Sequence, residues 1–128
     1  MSALSDYAEN ELLDHLLGTG SFTMPSAVYV GLSTASFNDD NSGTELSGNN
    51  YTRKAITFGA ASSGTASNNA AVEFNAATGS WGTVSHFGIF DAASSGNLLI
   101  HGALTASKVI ASGDILKIAV SDMSITAA

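Results

Sequence analysis

The chain has 128 residues, of which 45% are hydrophobic and only 12% are charged. This length and apolar content suit one domain with a single core. The charged share is about half the usual value, and small residues, Ser, Thr, Asn and Gly take the place of charged ones, a mixture typical of short strands joined by tight turns. The formal net charge of −7, with only four cationic side chains, disfavours binding to nucleic acid or to an anionic membrane surface.

Cysteine is absent from the sequence, so neither disulfides nor thiolate metal sites are expected. The N-terminal residues lack the basic stretch and apolar segment of a secretion signal, which predicts synthesis in a bacterial cytoplasm. We expect a single domain over residues 1–128, made of an N-terminal helical part at 1–20 and a β-sandwich at 27–128.

The first predicted element is an amphipathic helix over residues 5–17. Ser5 or Asp6 can cap its start, and Gly18 can end it. One broad apolar face results from residues spaced about four apart, and this face is expected to cover another part of the protein. Its members are Ala8, Leu12, Leu13, Leu16 and Leu17.

The alternation of residues after Pro25 predicts a first core strand over Ala27–Leu32. The next stretch, Thr34–Asn50, is rich in Asn, Asp, Ser and Gly, which predicts a long surface loop and the best single candidate for contact with a partner. Further strands are predicted at 51–58, 70–74, 83–90, 98–104, 108–111 and 115–125.

Turn signals between these segments predict two hairpins, one joining 83–90 to 98–104 and one joining 108–111 to 115–120. About seven short strands and one helix indicate an all-β fold. We predict an antiparallel β-sandwich or barrel with one N-terminal amphipathic helix.

Motifs for catalysis or metal binding are weak. His86 and His101 lack the third ligand that a zinc site needs, and no Gly-x-Ser-x-Gly nucleophile turn occurs. The run Asn38–Gly43 alternates oxygen ligands as a calcium loop does, but the twelfth position is Asn49 instead of Glu, which favours a plain Asx-rich turn. We therefore predict no catalytic residue, no metal and no cofactor.

Trp81 lies between glycines, and an aromatic plug at the edge of the sandwich is favoured over a sugar-stacking platform. Arg53 and Lys54 could pair with an acidic neighbouring chain, although a solvated strand face is the simpler interpretation. The predicted partner interface combines the long loop, the strand after it and the tryptophan: Phe37, Asp39, Asp40, Leu46, Tyr51, Arg53 and Trp81.

Five segments are distinctive in their order and spacing: Leu13–Gly18, Met24–Ala35, Gly43–Arg53, Trp81–Ala92 and Asn97–Thr105. Together they resemble a family of short virion structural proteins of tailed phages, labelled phage tail fibre proteins and in some phages similar to capsid cement or decoration proteins. The resemblance runs through nearly the whole chain. It implies a place in the virion, partners among other phage structural proteins, and no catalytic residues to carry over.

The sequence favours a capsid cement role, because a fibre shaft normally needs repeats or an extended trimerising region and the sequence has neither. The partners would then be the major capsid protein and further copies of the chain, with a trimer natural at three-fold positions. A tail fibre or baseplate component that contacts tail proteins and the host is the alternative. A carbohydrate-binding module that uses Trp81 is a third hypothesis, and an enzyme is the least supported.

Overall fold

The computed structural model describes residues 2–127. Its elements follow one another along the chain as β1 (Ser2–Leu4), α1 (Asp6–Leu16), β2 (Val28–Ser33), β3 (Lys54–Ile56), β4 (Thr65–Ser67), β5 (Val72–Glu73), β6 (Gly82–Phe90), β7 (Leu98–Ile110), β8 (Lys117–Ile118) and β9 (Ser124–Thr126). The paired strands are all antiparallel. The predicted all-β fold with one N-terminal helix is confirmed.

The strands form two layers. Five of them make the main sheet, in the order β1-β7-β6-β2-β3, and the short pairs β4–β9 and β5–β8 make the second layer. Within residues 2–127 the sheets do not close on themselves. The sandwich is therefore the right choice of the two predicted architectures, and the barrel is wrong.

The main core lies between the layers. Along β2, Val30 and Leu32 are buried on the same face of the main sheet, because every second residue of a strand points to the same side. Phe87 and Ile89 do the same on β6. These side chains join one buried cluster with residues from the second layer, among them Val72, Phe74, Leu116 and Ile118.

The first predicted hairpin is confirmed. Strands β6 and β7 pair from Gly82 opposite Ile110 to Phe90 opposite Leu98, and residues 104–107 of β7 stay outside this ladder. Two register shifts interrupt the ladder, and such irregularities bend a strand and increase its twist. This long hairpin occupies the middle of the main sheet.

The second predicted hairpin is wrong. Strand β7 continues without a break to Ile110, so 108–111 is its end and not a separate strand. The tight turn that follows does form, because the Asp114 carboxylate accepts a 2.9 Å hydrogen bond from the Ala111 N–H. Beyond this turn, however, β8 pairs with β5 in the second layer. The turn therefore leads the chain from the main sheet to the second layer.

Other strands differ in extent. The predicted strands 51–58 and 70–74 shorten to β3 and β5, and 115–125 divides into β8 and β9. Strands β1 and β4, of three residues each, were not predicted, since segments this short show no measurable alternation.

Helix α1 is attached to the main sheet at its first turn. The Ser5 hydroxyl accepts a 3.1 Å hydrogen bond from the Ala8 N–H and donates to the Leu98 carbonyl, while the Ser5 N–H donates to the Leu99 carbonyl at 2.9 Å. Ser5 is thus the cap, as predicted. In the helix only Ala8 is buried. The expectation that the whole apolar face covers something is therefore met only at that residue.

The second layer depends on one buried amide. Asn68 lies where the β4–β9 pair gives way to the β5–β8 pair, and its side-chain nitrogen donates to the Ala70 and Ala119 carbonyls, both at 2.9 Å. Its side-chain oxygen accepts from the Met123 N–H at 2.9 Å. One side chain thereby satisfies three backbone groups from two chain segments.

We predict that Asn68→Ala lowers the free energy of unfolding by about 2–4 kcal/mol, because three backbone groups around a buried position lose their partner. The neighbouring Asn69 is exposed and contacts Thr57, so Asn69→Ala is the matched control, with an expected loss below about 1 kcal/mol. Urea unfolding followed by circular dichroism measures both. Equal losses would show that Asn68 does not organise the second layer.

Candidate interaction surfaces

The long loop folds back along β2. The Ser33 hydroxyl donates to the Thr44 carbonyl at 2.6 Å, and the Leu46 N–H donates to the Leu32 carbonyl at 2.9 Å. At Gly43 a side chain is excluded, since an added Cβ would lie 2.2 Å from the Ser36 carbonyl oxygen. The segment is thus folded in the isolated chain, and its contacts are mainly with its own sheet.

Phe37 is buried on the second face of the main sheet. It is 1% exposed and forms a small core with Phe90 and Leu98. The Phe37 and Phe90 rings meet edge to face, with centroids 5.5 Å apart. Phe37 belongs to the loop in sequence, but in this conformation it is a core residue.

Arg53 lies at the centre of a polar cluster on the same face. Its guanidinium makes a two-pronged contact with the Glu45 carboxylate, with Nη2 to Oε1 at 2.7 Å and Nε to Oε2 at 2.9 Å. Nη1 donates to the carbonyls of Ala92 and Ser95, and the guanidinium carbon stands 3.6 Å from the centroid of the Phe90 ring. The Arg53 side chain is only 8% exposed, so the solvated-face interpretation is wrong.

Tyr51 extends this cluster to β2. Its hydroxyl donates to Glu45 and accepts a 2.9 Å hydrogen bond from the Leu32 N–H. Burial, and secondly the hydrogen bond to Glu45, raise the pKa of Tyr51 above its usual range. Gly31 leaves the necessary space, since a Cβ there would lie 2.7 Å from a Glu45 carboxylate oxygen.

Trp81 belongs to the main core. Its side chain is 5% exposed, its ring meets the Tyr51 ring edge to face, and its Nε1–H donates to the Asn49 carbonyl at 3.0 Å. The plug interpretation is confirmed, and the sugar-stacking platform is wrong for this conformation because the ring faces are covered.

Asp39 and Asp40 lie at the exposed end of the loop. An Asp39 carboxylate oxygen is 2.7 Å from His101 Nε2, and the Asp39 carbonyl accepts from the Asp6 N–H. Asp40 accepts from the Ser42 N–H, and hydrogen bonds from Ser42 hold the pKa of Asp40 below its usual value. This is the Asx-rich turn that the sequence favoured over a calcium loop.

The two histidines of the β6–β7 hairpin contact different partners, because His86 Nδ1 lies 2.7 Å from the Ser85 hydroxyl and His101 contacts Asp39. Among residues 2–127, no three His, Asp or Glu side chains come together as metal ligands would.

Leu46 is half-buried against the main core.

The seven predicted interface residues therefore differ in accessibility. Asp39 and Asp40 are exposed, Leu46, Tyr51 and Arg53 are half-buried, and Phe37 and Trp81 are buried. Each of the seven has a packing or hydrogen-bonding role within the chain. Their contact with a partner stays a prediction.

A surface that the sequence pattern did not single out lies beside α1. An open apolar groove of about 310 Å³, which we call the α1 groove, separates the helix from β4 and β9. Every residue that lines it is apolar: Leu4, Ala8, Leu12, Phe22, Pro25, Val28, Phe58, Ala66, Ile89, Leu99, Ile100 and Ile125. The leucine spacing of the helix was the available signal, but it could not show that the face stays open.

Within residues 2–127 no helix is long and apolar enough to cross a bilayer.

The fold is an antiparallel sandwich with a folded loop on one face and an open apolar groove at α1, as suits a protein that works by contact with others. The family model described as "Podophage GP4 fiber I protein gp80" matches residues 3–126. The chain therefore belongs to this family of fibre-type structural proteins of short-tailed phages, which confirms the predicted resemblance. No curated protein matches the chain.

We predict that Arg53→Ala lowers the free energy of unfolding by about 3 kcal/mol, because the partly buried Glu45 carboxylate loses its counterion and two carbonyls lose a donor. Arg53→Lys should recover only part of this, since an ammonium cannot make the two-pronged contact or cover the Phe90 ring.

Lys117→Ala is the control. It removes an exposed contact with Glu73, 3.5 Å long, and should lower the free energy of unfolding by less than about 1 kcal/mol. Thermal and urea unfolding of the three variants test the comparison. If Arg53→Ala and Lys117→Ala lowered the free energy of unfolding by equally small amounts, the polar cluster around Arg53 would not stabilise the folded loop.

Proposed function

We propose that this chain is a non-enzymatic structural component of the tail fibre of a short-tailed phage. The observation that carries the proposal is the family match over residues 3–126, whose description names a fibre protein. The resemblance found from the sequence agrees with it. On this proposal the protein is made in the bacterial cytoplasm and resides in the virion.

The geometry supports a building block. We propose that residues 1–128 form one domain, in which a sandwich presents its loop face and its α1 groove to neighbours. The conspicuous polar side chains are engaged within the chain, as in the cluster of Arg53, Glu45 and Tyr51. A block of this kind serves a fibre as a joint or an attachment point, while a partner tail protein supplies the shaft.

Capsid cement is the second candidate. It is supported by the two-layer fold and by the lack of any repeat in the sequence, as expected of a block that bridges shell subunits. In that role the partners would be the major capsid protein and further copies of the chain, with a trimer at three-fold positions. Binding of only the folded form would stabilise it by mass action.

Copy number in purified particles separates the two candidates. We expect far fewer copies than of the major shell protein, as measured by quantitative mass spectrometry with labelled reference peptides from both proteins. A ratio near parity would place the chain on the shell as cement. Its absence from particles would contradict both roles.

Antibody labelling in electron micrographs gives an independent measurement. On the fibre proposal the label lies at the tail, and particles stripped of their tails lose it. Label spread over the head would contradict the fibre proposal.

A further inference from the structure

Helix α1 leaves its leucines uncovered. Leu12, Leu13, Leu16 and Leu17 are all exposed, the last two to 68% and 74%. Single exposed leucines are common on protein surfaces, but three on one short helix with a fourth at its C-terminal cap form an apolar patch. The patch continues into the α1 groove, since Leu12 belongs to both.

The α1 groove is an opening into the main core. Ile89 in its lining is a member of that core, and Val28, Phe58, Ile100 and Ile125 pack against it. The core of the sandwich is thus incompletely closed beside the helix. An apolar side chain placed in the groove would contact core residues directly.

The charges around this patch are acidic. Glu9 precedes Leu13 by four residues and Leu16 by seven, so it lies on the same side of the helix as these leucines. None of the four cationic side chains lies on α1 or lines the groove. Arg53 and Lys117 contact carboxylates elsewhere in the chain.

We propose that α1 and the α1 groove dock an amphipathic helix of another protein, whose apolar stripe is flanked by Lys or Arg. A helix laid in an apolar groove inserts side chains at positions i, i+3, i+4 and i+7. From Ala8 to Leu16 the helix rises about 12 Å, which matches two turns of such a partner. The basic flanks would pair with the acidic side chains of α1.

A second copy of this chain fits less well. Its own patch would bring the same Glu9 and Asp6 to the contact and no cation to balance them. Like charges brought together across an interface weaken it. The inference rests on the proposed function in one respect only, that the partner is a structural protein of the particle.

The test uses the full chain and labelled peptides of about five helical turns. One peptide has a leucine stripe with lysine flanks, a second has glutamates in place of the lysines, and a third has the first composition with the stripe scrambled. By fluorescence anisotropy we expect the lysine peptide to bind about tenfold more tightly than the glutamate peptide, and the scrambled peptide to bind weakest.

Variants locate the binding. Leu16→Ser should weaken the lysine peptide about tenfold, whereas Val109→Ser, at an exposed position on β7, should leave its affinity unchanged. Glu9→Gln should reduce the difference in affinity between the lysine peptide and the glutamate peptide. Circular dichroism and unfolding midpoints establish that each variant is folded.

Three results would overturn the proposal. The two peptides with a leucine stripe could bind no more tightly than the scrambled peptide. The Leu16→Ser variant could also bind the lysine peptide as tightly as the Val109→Ser control does. Alternatively, sedimentation equilibrium could show self-association that Leu16→Ser abolishes, which would make a second copy the occupant. All are measured on the isolated chain, so they leave the particle counts that test the fibre role unaffected.

Discussion

Among the described residues, 2–127, the main sheet is apolar on both faces, and only one of these faces is covered by other strands. The second layer covers the face that carries Val30 and Ile89. On the other face Phe90 needs a different cover, which the chain obtains by folding its long loop back so that Phe37 meets the Phe90 ring. The loop is therefore structural first, and its exposed end is what remains for contacts with other molecules.

A loop that covers an apolar ring also brings polar backbone groups and charge close to that ring, and these polar groups need hydrogen-bond partners. Arg53 supplies such partners. Its planar guanidinium lies over Phe90 while its N–H groups satisfy Glu45 and two carbonyls of the β6–β7 connection. Such a site needs arginine, because a lysine is a strongly hydrated point charge. Burial raises the pKa of Tyr51, which favours the protonated hydroxyl that donates to Glu45. One of only four cations is thereby used inside the fold.

Local sequence patterns correctly predicted those structural features that short-range interactions determine. The Ser5 cap and the β6–β7 hairpin follow from short-range chemistry, and both were predicted correctly. The second hairpin was wrong because turn residues at 111–114 specify a turn but not which strand lies beyond it. Arg53 was assigned to a solvated face since its partner Glu45 is eight residues away within a loop of unknown path. The α1 groove was missed because periodicity reveals an apolar face but not whether the tertiary fold covers it.

The walls of the α1 groove come from elements that are weak by themselves. Leu4 belongs to β1, while Ala66 and Ile125 belong to the β4–β9 pair, and each of these strands has three residues. Isolated strand pairs are marginally stable in water, so these elements depend on packing across the groove. A helix that fills the groove would contact all of them at once and would pack against Ile89 of the main core. Docking and stability are then coupled, and the partner stabilises the folded chain by an amount that grows with the logarithm of its free concentration once this exceeds the Kd.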